Sequence, residues 1–333
     1  MEEVNKIAID IKNKSYHPIY FLMGEEPYYI DKLCDFIPNQ ILEEHEQAFN
    51  KVVFYGKDSK LEQIINQAKQ YPMGAEHQVV MVKEAQHLSR EIEKLSSYLE
   101  HPQSSTILIF AYKNKKLDKR KALYKTIKKK GVILETKRLY DNQVPNWIRT
   151  TAQKKGFLCA PMASHLLAEY LGTDLAKIDK EFEKLSLVLD KGAEITPDII
   201  EKNIGISKDY NVFELKKALA ERSIERILKI IQYFYQNPKE HPFVVTTGIL
   251  HTFFSQLMHY HSLSDHSPTN VASKLGINPY FVSEYQTAAH HYPIKKVSSI
   301  LSELRTLDLK GKGVGSHQMS HEDLLKELIY KIV

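Results

Sequence analysis

Cysteine is nearly absent from this chain of 333 residues, which contains only Cys34 and Cys159. Two cysteines this far apart form neither a disulfide framework nor the paired spacing of a zinc site, and they fit a reducing cytosol. His251, His259 and His261 lie close together, but no carboxylate or cysteine accompanies them at ligand spacing. We therefore expect no metal, no cofactor and a cytoplasmic location.

Long hydrophobic runs are missing as well. The first fourteen residues, MEEVNKIAIDIKNK, contain no apolar stretch of signal-peptide length. The least charged segment, residues 242–263, carries threonine, serine, glutamine and histidine side chains, so it is too polar to span a membrane. We interpret it as a buried helix of a bundle and expect no membrane partner.

Charge of one sign is not in large excess. The 46 basic and 41 acidic residues leave a net charge of +5, and the hydrophobic fraction of 43% is ordinary for a globular protein. This balance permits a nucleic-acid partner without requiring one. The length indicates two or three domains.

Familiar catalytic motifs are absent too. The sequence contains no GxSxG, HExxH or CxxC, and no local pairing of cysteine with histidine. Glu25 and Glu26 are adjacent, but two carboxylates in one turn do not by themselves form an acid/base pair. We expect no catalytic residue in this chain.

What the sequence does contain, in its first 139 residues, is an alternation of apolar runs and helical patterns. Such alternation predicts a three-layer α/β domain with a parallel five-stranded sheet. Continuous apolar runs such as VVMV favour strands that are covered on both faces. The predicted strands are residues 19–23, 51–55, 78–83, 106–111 and 132–135.

A loop in the position of a nucleotide-binding loop follows the first predicted strand. It consists of Gly24, Glu25, Glu26 and Pro27. A working loop of this kind needs several glycines, a lysine for the phosphates and a serine or threonine for magnesium, and carboxylates would repel a triphosphate. Lys83 also stands where a magnesium-supporting aspartate would end the third strand. These two departures from a working nucleotide site, in the loop and at Lys83, predict that the domain does not bind ATP.

The turn before the third strand consists of Tyr71, Pro72, Met73 and Gly74. Pro72 biases Tyr71 away from helical angles and so ends the preceding helix, which leaves Met73 at the tip of the turn. Either Met73 folds back into the core, or it presents an apolar side chain to a partner protein. The sequence leaves both alternatives open.

A basic segment lies between the last two predicted strands, at residues 113–130. It holds ten basic residues and one acid. It is interpreted either as a solvated lysine-rich helix face or as a surface for a phosphate backbone. The candidate DNA-binding residues are Lys113, Lys115, Lys116, Lys119 and Arg120, with Lys310 and Lys312 from the predicted loop 310–315.

The remainder of the chain has helical periodicity. The pattern of residues 140–207 predicts a small helical domain. We interpret Trp147 as part of its hydrophobic core. Residues 208–333 predict a helical bundle with short loops marked by proline or glycine.

Five segments resemble the delta subunit of bacterial DNA polymerase III, a degenerate member of the AAA+ clamp-loader family. The resemblance keeps one order along the whole chain. It is carried by residues 19–31 (IYFLMGEEPYYID), 71–86 (YPMGAEHQVVMVKEAQ), 113–131, 211–219 (NVFELKKAL) and 308–313 (DLKGKG).

The resemblance implies an AAA+-like domain that binds a sliding clamp, a helical lid domain and a C-terminal collar for oligomerisation. Delta subunits help open the clamp for loading on primed DNA, while other subunits of the hetero-oligomer bind and hydrolyse ATP. The family is catalogued within a DNA-directed DNA polymerase, a nucleotidyltransferase, although polymerisation belongs to another subunit. In the family two neighbouring apolar residues fill a pocket on the clamp. They correspond to Met73 and to Gly74, which has no side chain, so Tyr71 or Pro72 is expected to supply the missing surface.

Two other functions compete with this one. The first is an AAA+ ATPase with an atypical nucleotide site, and the second is a stand-alone nucleic-acid-binding protein that uses residues 113–130. Magnesium-dependent ATP binding would favour the first, and co-purification with RNA without replication proteins would favour the second.

Overall fold

The computed structural model describes residues 2–314 and 320–332. It divides into two compact units, Met1–Leu139 and Tyr140–Val333. The second unit contains both of the predicted helical segments, so their separation at residue 207 stays a prediction.

A parallel five-stranded sheet forms the centre of the first unit. Its strands are β1 Ile19–Gly24, β2 Lys51–Tyr55, β3 Gln78–Lys83, β4 Thr106–Lys113 and β5 Val132–Thr136. Their spatial order is β2-β3-β4-β1-β5. Each neighbouring pair is parallel, with Lys51 opposite Val79 and Tyr20 opposite Ile109. The predicted five-stranded sheet is confirmed.

Helices cover both faces of this sheet. They are α1 Glu2–Lys12, α2 Pro27–Ile41, α3 Glu44–Asn50, α4 Leu61–Ala68, α5 Leu95–Glu100 and α6 Ala122–Lys130. Apolar residues of α1 and α2, among them Ile11 and Ile30, pack with Tyr20 of β1. Residues of α4, α5 and α6 pack in the other cluster with Phe21, the next residue along. Successive strand side chains point to opposite faces, so the domain has the three predicted layers.

The second unit is built almost entirely from helices. They are α7 Val144–Lys154, α8 Pro161–Leu171, α9 Leu175–Leu185, α10 Pro197–Ile204, α11 Val212–Ala220, α12 Ile224–Gln236, α13 Phe243–Ser262, α14 Pro268–Leu275, α15 Val282–His291, α16 Ile294–Gly311 and α17 His321–Ile332. The long helix α13 buries Leu250, Phe253, Phe254 and Leu257 in the bundle core, as its low charge predicts. No helix in the described ranges is long and apolar enough to cross a membrane.

Three local predictions need correction. The segment 140–207 is not entirely helical, because β6 Leu158–Cys159 pairs in parallel with β7 Glu194–Ile195. Two residues per strand are too few to show a sequence period. The predicted loop 310–315 begins later than expected, since α16 extends through Gly311, and Gly315 lies outside the described residues.

The third correction concerns the basic segment, which is not one helix. Lys113 ends β4, and α6 begins only at Ala122. Between them the side chain of Asp118 accepts a hydrogen bond from the backbone N–H of Arg120 at 3.0 Å. Its carbonyl accepts another from Lys121 at 3.1 Å. An aspartate that bonds to nearby backbone in this way favours a turn over a helix.

Candidate functional site

The parallel sheet places the two candidate sites of the first unit at opposite edges. The turn that contains Met73 leads into β3, and α3 leads into β2, so both lie at the amino ends of the strands. Gly24 and Lys83 end β1 and β3, so the loop in the nucleotide position lies at the carboxyl ends. The two candidate sites are therefore separated by the length of the strands.

Met73 stands on the surface at the tip of its turn. It is 69% exposed, and Tyr71 is 81% exposed, whereas Pro72 is half-buried. The alternative that Met73 fills the core is therefore wrong. Gly74 has φ +66°, and a Cβ atom built there would meet nothing within 4 Å. Glycine thus provides the left-handed backbone that the turn requires, in open space.

A buried amide fixes the backbone of this turn. Asn50, at the end of α3, is only 1% exposed. Its Oδ1 accepts a hydrogen bond from the N–H of Met73 at 2.7 Å, and its Nδ2 donates to the carbonyl of Met73 at 3.0 Å. Both backbone groups of Met73 are thereby satisfied by one side chain, which holds the tip in a defined position.

A second buried amide anchors the turn where it enters the sheet. Nε2 of Gln78, the first residue of β3, lies 2.9 Å from Thr106 Oγ1 and 3.3 Å from the carbonyl of Gln67. The same nitrogen donates to the carbonyl of Gln70. Gln78 therefore links the last turn of α4 and the segment that follows it to Thr106, the first residue of β4. Sequence reasoning missed Asn50 and Gln78, because nothing in the local pattern marks a polar residue that bonds to a distant turn.

Hydrogen bonds to β5 hold the loop at the carboxyl edge of the sheet. The N–H of Glu25 donates to the carbonyl of Thr136 at 3.0 Å, and the N–H of Glu26 donates to Thr136 Oγ1 at 3.2 Å. A Cβ atom on Gly24 would lie 2.1 Å from the carbonyl oxygen of Thr136, so the loop packs directly against β5. The N–H groups that hold phosphates in a nucleotide loop are engaged here within the protein.

Glu26 also occupies the helix terminus where a phosphate would sit. It is 5% exposed, and its carboxylate accepts a hydrogen bond at 3.1 Å from the N–H of Tyr28, in the first turn of α2. A carboxylate at this end of a helix is stabilised by the helix dipole, as a bound anion would be. Pro27, the first residue of α2, has no N–H to offer.

Lysines from the basic segment pair with carboxylates beside this loop. Lys116 Nζ lies 3.1 Å from Glu25 and 3.2 Å from Glu135, and Lys119 lies 2.8 Å from Glu135. The hydrogen bond from Lys119 lowers the pKa of Glu135, and the bond to Glu25 raises the pKa of Lys116. Part of the positive charge that suggested a DNA surface is therefore matched by nearby acids.

The other basic candidates are also engaged. Lys113 pairs with Asp31 at 2.6 Å, and Arg120 pairs with Asp118 at 2.9 Å, which lowers the pKa of Asp118 to about 2. Lys115 lies 3.5 Å from the carbonyl of Gln86. These contacts support the solvated, paired surface more than an open phosphate-binding one, and DNA binding stays a prediction.

Lys310 and Lys312 lie in the second unit near the end of α16. Lys310 Nζ is 3.4 Å from the carboxylate of Glu327, and Lys312 Nζ is 2.6 Å from Asp308 one turn earlier. No group of three or more acidic, histidine or cysteine side chains among residues 2–314 and 320–332 could hold a metal ion.

Comparison with known proteins gives matches over most of the chain. A family model described as DNA polymerase III, delta subunit, matches residues 20–137, and one for the C-terminal domain of that subunit matches residues 209–332. The chain is 26% identical over 330 residues to DNA polymerase III subunit delta of Bacillus subtilis (strain 168), covering 96% of this chain and 95% of that protein. It shares the fold of the solved Bacillus subtilis DNA clamp loader delta protein, with a TM-score of 0.56, 22% identity and 99% coverage of both chains.

Proposed function

Because the chain belongs to the DNA polymerase III delta subunit family, we propose that it acts in a clamp loader. In this role it binds the sliding clamp and helps open it for loading on primed DNA during replication. Other subunits of the loader bind and hydrolyse the ATP. The closed loop at Gly24–Pro27 supports this division of labour, since its N–H groups already have partners within the chain.

The observation that carries the proposal is the exposed Met73 at the tip of a turn that Asn50 holds in place. Because Asn50 holds the backbone of the turn, little backbone freedom is lost on binding, so more of the burial of the Met73 side chain contributes to affinity. Tyr71, Pro72 and Gly74 complete this surface, which we assign to an apolar pocket on the clamp.

The remaining partners follow from the same role. Residues 208–333 form the collar that joins the ATP-binding subunits, and residues 140–207 form the lid domain. The start of the C-terminal family match at residue 209 supports this boundary. Lys113, Lys115, Lys116, Lys119, Arg120, Lys310 and Lys312 remain the proposed DNA contacts within the assembled loader. The cytoplasm is the proposed location, where the free thiols of Cys34 and Cys159 stay reduced.

Substitution of Met73 tests the clamp-binding surface. Burial of one methionine side chain stabilises a complex by roughly 1.5–3 kcal/mol, so Met73→Ala is expected to weaken clamp affinity about ten- to more than a hundredfold. Met73→Asp is expected to weaken it further, because it forces a carboxylate into an apolar pocket. Isothermal titration of the full chain with the sliding clamp of the same organism measures both effects, and circular dichroism melts check the fold.

A matched control comes from an exposed apolar residue far along the chain. Leu187→Asp changes a side chain that is at least as exposed as Met73, but in the second unit. It is expected to leave clamp affinity unchanged. Equal affinities of the wild type and Met73→Asp, with both folded, would show that Met73 does not dock on the clamp.

A further inference from the structure

A second large exposed apolar side chain belongs to the helix end that is hydrogen-bonded to the Met73 turn. Phe49, in the last turn of α3, is 68% exposed. A phenyl ring offers about 150–250 Å² of apolar surface, so leaving it in water is costly unless a partner covers it. Sequence reasoning gave Phe49 no role.

The backbone of Phe49 lies close to the backbone of Met73. Phe49 directly precedes Asn50, whose side chain bonds to both backbone groups of Met73. Asn50 Nδ2 also lies 3.2 Å from the carbonyl of Glu46 in the same helix. The end of α3 and the tip of the turn therefore form one connected structure at the amino edge of the sheet.

Gly74 contributes no side chain to the surface of the turn. The position after Met73 offers no side chain, and a methyl group placed there would have no neighbouring atom within 4 Å. A partner that covers Met73 can therefore approach the backbone of Gly74 closely. The end of α3 lies next to this turn, because Asn50 is hydrogen-bonded to Met73.

We propose that Phe49 is a further apolar anchor of the surface that binds the sliding clamp, and that it adds to the surface of the turn, in which Gly74 has no side chain. This inference rests on the proposed function. The clamp is the chosen occupant because Phe49 directly precedes Asn50, whose side chain is hydrogen-bonded to the proposed clamp-binding turn. Exposed acids at the start of α3, Glu43 and Glu44, lie one to two turns before Phe49. The matching pocket is therefore apolar at its centre with basic groups at the rim.

Titration of the full chain with the purified sliding clamp tests the proposal. Phe49→Ala is expected to weaken binding about ten- to a hundredfold, as loss of a buried aromatic anchor does. Phe49→Leu retains apolar surface and is expected to stay within about fivefold of the wild type. The matched control is Tyr55→Ala, which removes an exposed ring from the opposite end of β2, roughly 13 Å along the strand. Its affinity is expected to be unchanged.

The outcomes separate this proposal from the one it rests on. If Met73→Ala weakens binding and Phe49→Ala does not, Phe49 is no anchor and the clamp-loader function stands. If the wild-type chain does not bind the clamp, both proposals fail. Sedimentation of the chain alone covers a different occupant. Self-association that Phe49→Ala abolishes, with clamp affinity unchanged, would assign the surface to a second copy of the chain and overturn the proposal.

Discussion

Asn50 shows how much of this site depends on one side chain. Its amide bonds to the N–H and the carbonyl of Met73, a residue 23 positions away in the sequence. Asparagine is suited to this position because it carries both a donor and an acceptor. Aspartate has the same shape, but as a carboxylate it has no hydrogen to donate to the carbonyl of Met73.

Substitution of Asn50 is therefore expected to loosen the turn without removing any apolar surface. Asn50→Ala leaves the backbone groups of Met73 unsatisfied, which is expected to lower the free energy of unfolding by about 1–3 kcal/mol. The amide proton of Met73 is expected to exchange faster with solvent. Denaturant unfolding and hydrogen exchange measure the two effects. Asn39→Ala, which removes an exposed amide from α2, is the control. An unchanged exchange rate at Met73 would show that Asn50 does not hold the turn.

The sequence predicts part of this surface and misses the rest for a physical reason. The exposure of Met73 follows from its immediate neighbours, since Pro72 ends the helix and Gly74 permits φ +66°. The roles of Asn50, Gln78 and Phe49 depend on which segments the sheet brings together. That information lies in the strand order, and no local pattern contains it.

The loop before α2 illustrates the same point for a whole element. The loop has a single glycine and no lysine, which already predicts that it binds no ATP. The structure adds the positive reason, which is that the helix terminus has an internal anion, the carboxylate of Glu26. Lys116 pairs with Glu25. The chain therefore supplies both the negative charge that a phosphate would bring and the positive charge that would bind it.

We expect the isolated chain to bind no ATP and to show no ATPase activity above background. A ligand present at a hundred times its dissociation constant would stabilise the chain by about 2.7 kcal/mol, which a melting experiment with magnesium and ATP detects readily. Glu26→Gln keeps the cap acceptor but removes its charge, and this variant is also expected to bind none because Glu25 remains. A saturable, magnesium-dependent rise in melting temperature that the Glu26 variant alters would contradict this expectation and favour the ATPase alternative.

Strands and long helices are predictable here because their patterns are continuous. Every residue of β1 is buried, and so is every residue of β3 and β4 except the last. Each strand therefore contains a continuous apolar run in the sequence. Short elements have no such pattern. Ile92–Lys94 forms a 3-10 turn of three residues before α5, and β6 and β7 have only two residues each.

The whole chain forms two compact units, and the sequence predicts three domains. The predicted joint near residues 206–210 is packed and bonded. Ile206 is buried, and Tyr210 stacks on Tyr233 with ring centroids 4.9 Å apart. Nδ2 of Asn211 donates to the carbonyl of Lys208 at 2.8 Å. The segments on either side of this joint therefore need not separate as independent domains.

Limited trypsin digestion tests this organisation, because a basic residue lies at each joint. Lys137 and Arg138 are exposed just before the unit boundary at Leu139, whereas Lys208 is half-buried and pairs with Asp198. Proteases cut exposed joints first, since the backbone there can enter their active site without unfolding. The first cut is therefore expected after Lys137 or Arg138, with cleavage after Lys208 markedly slower. Mass spectrometry of the fragments over time identifies the order. Cleavage after Lys208 at the same rate as after Arg138 would instead support three separate domains, with the joint at residues 206–210 opening as readily as the first.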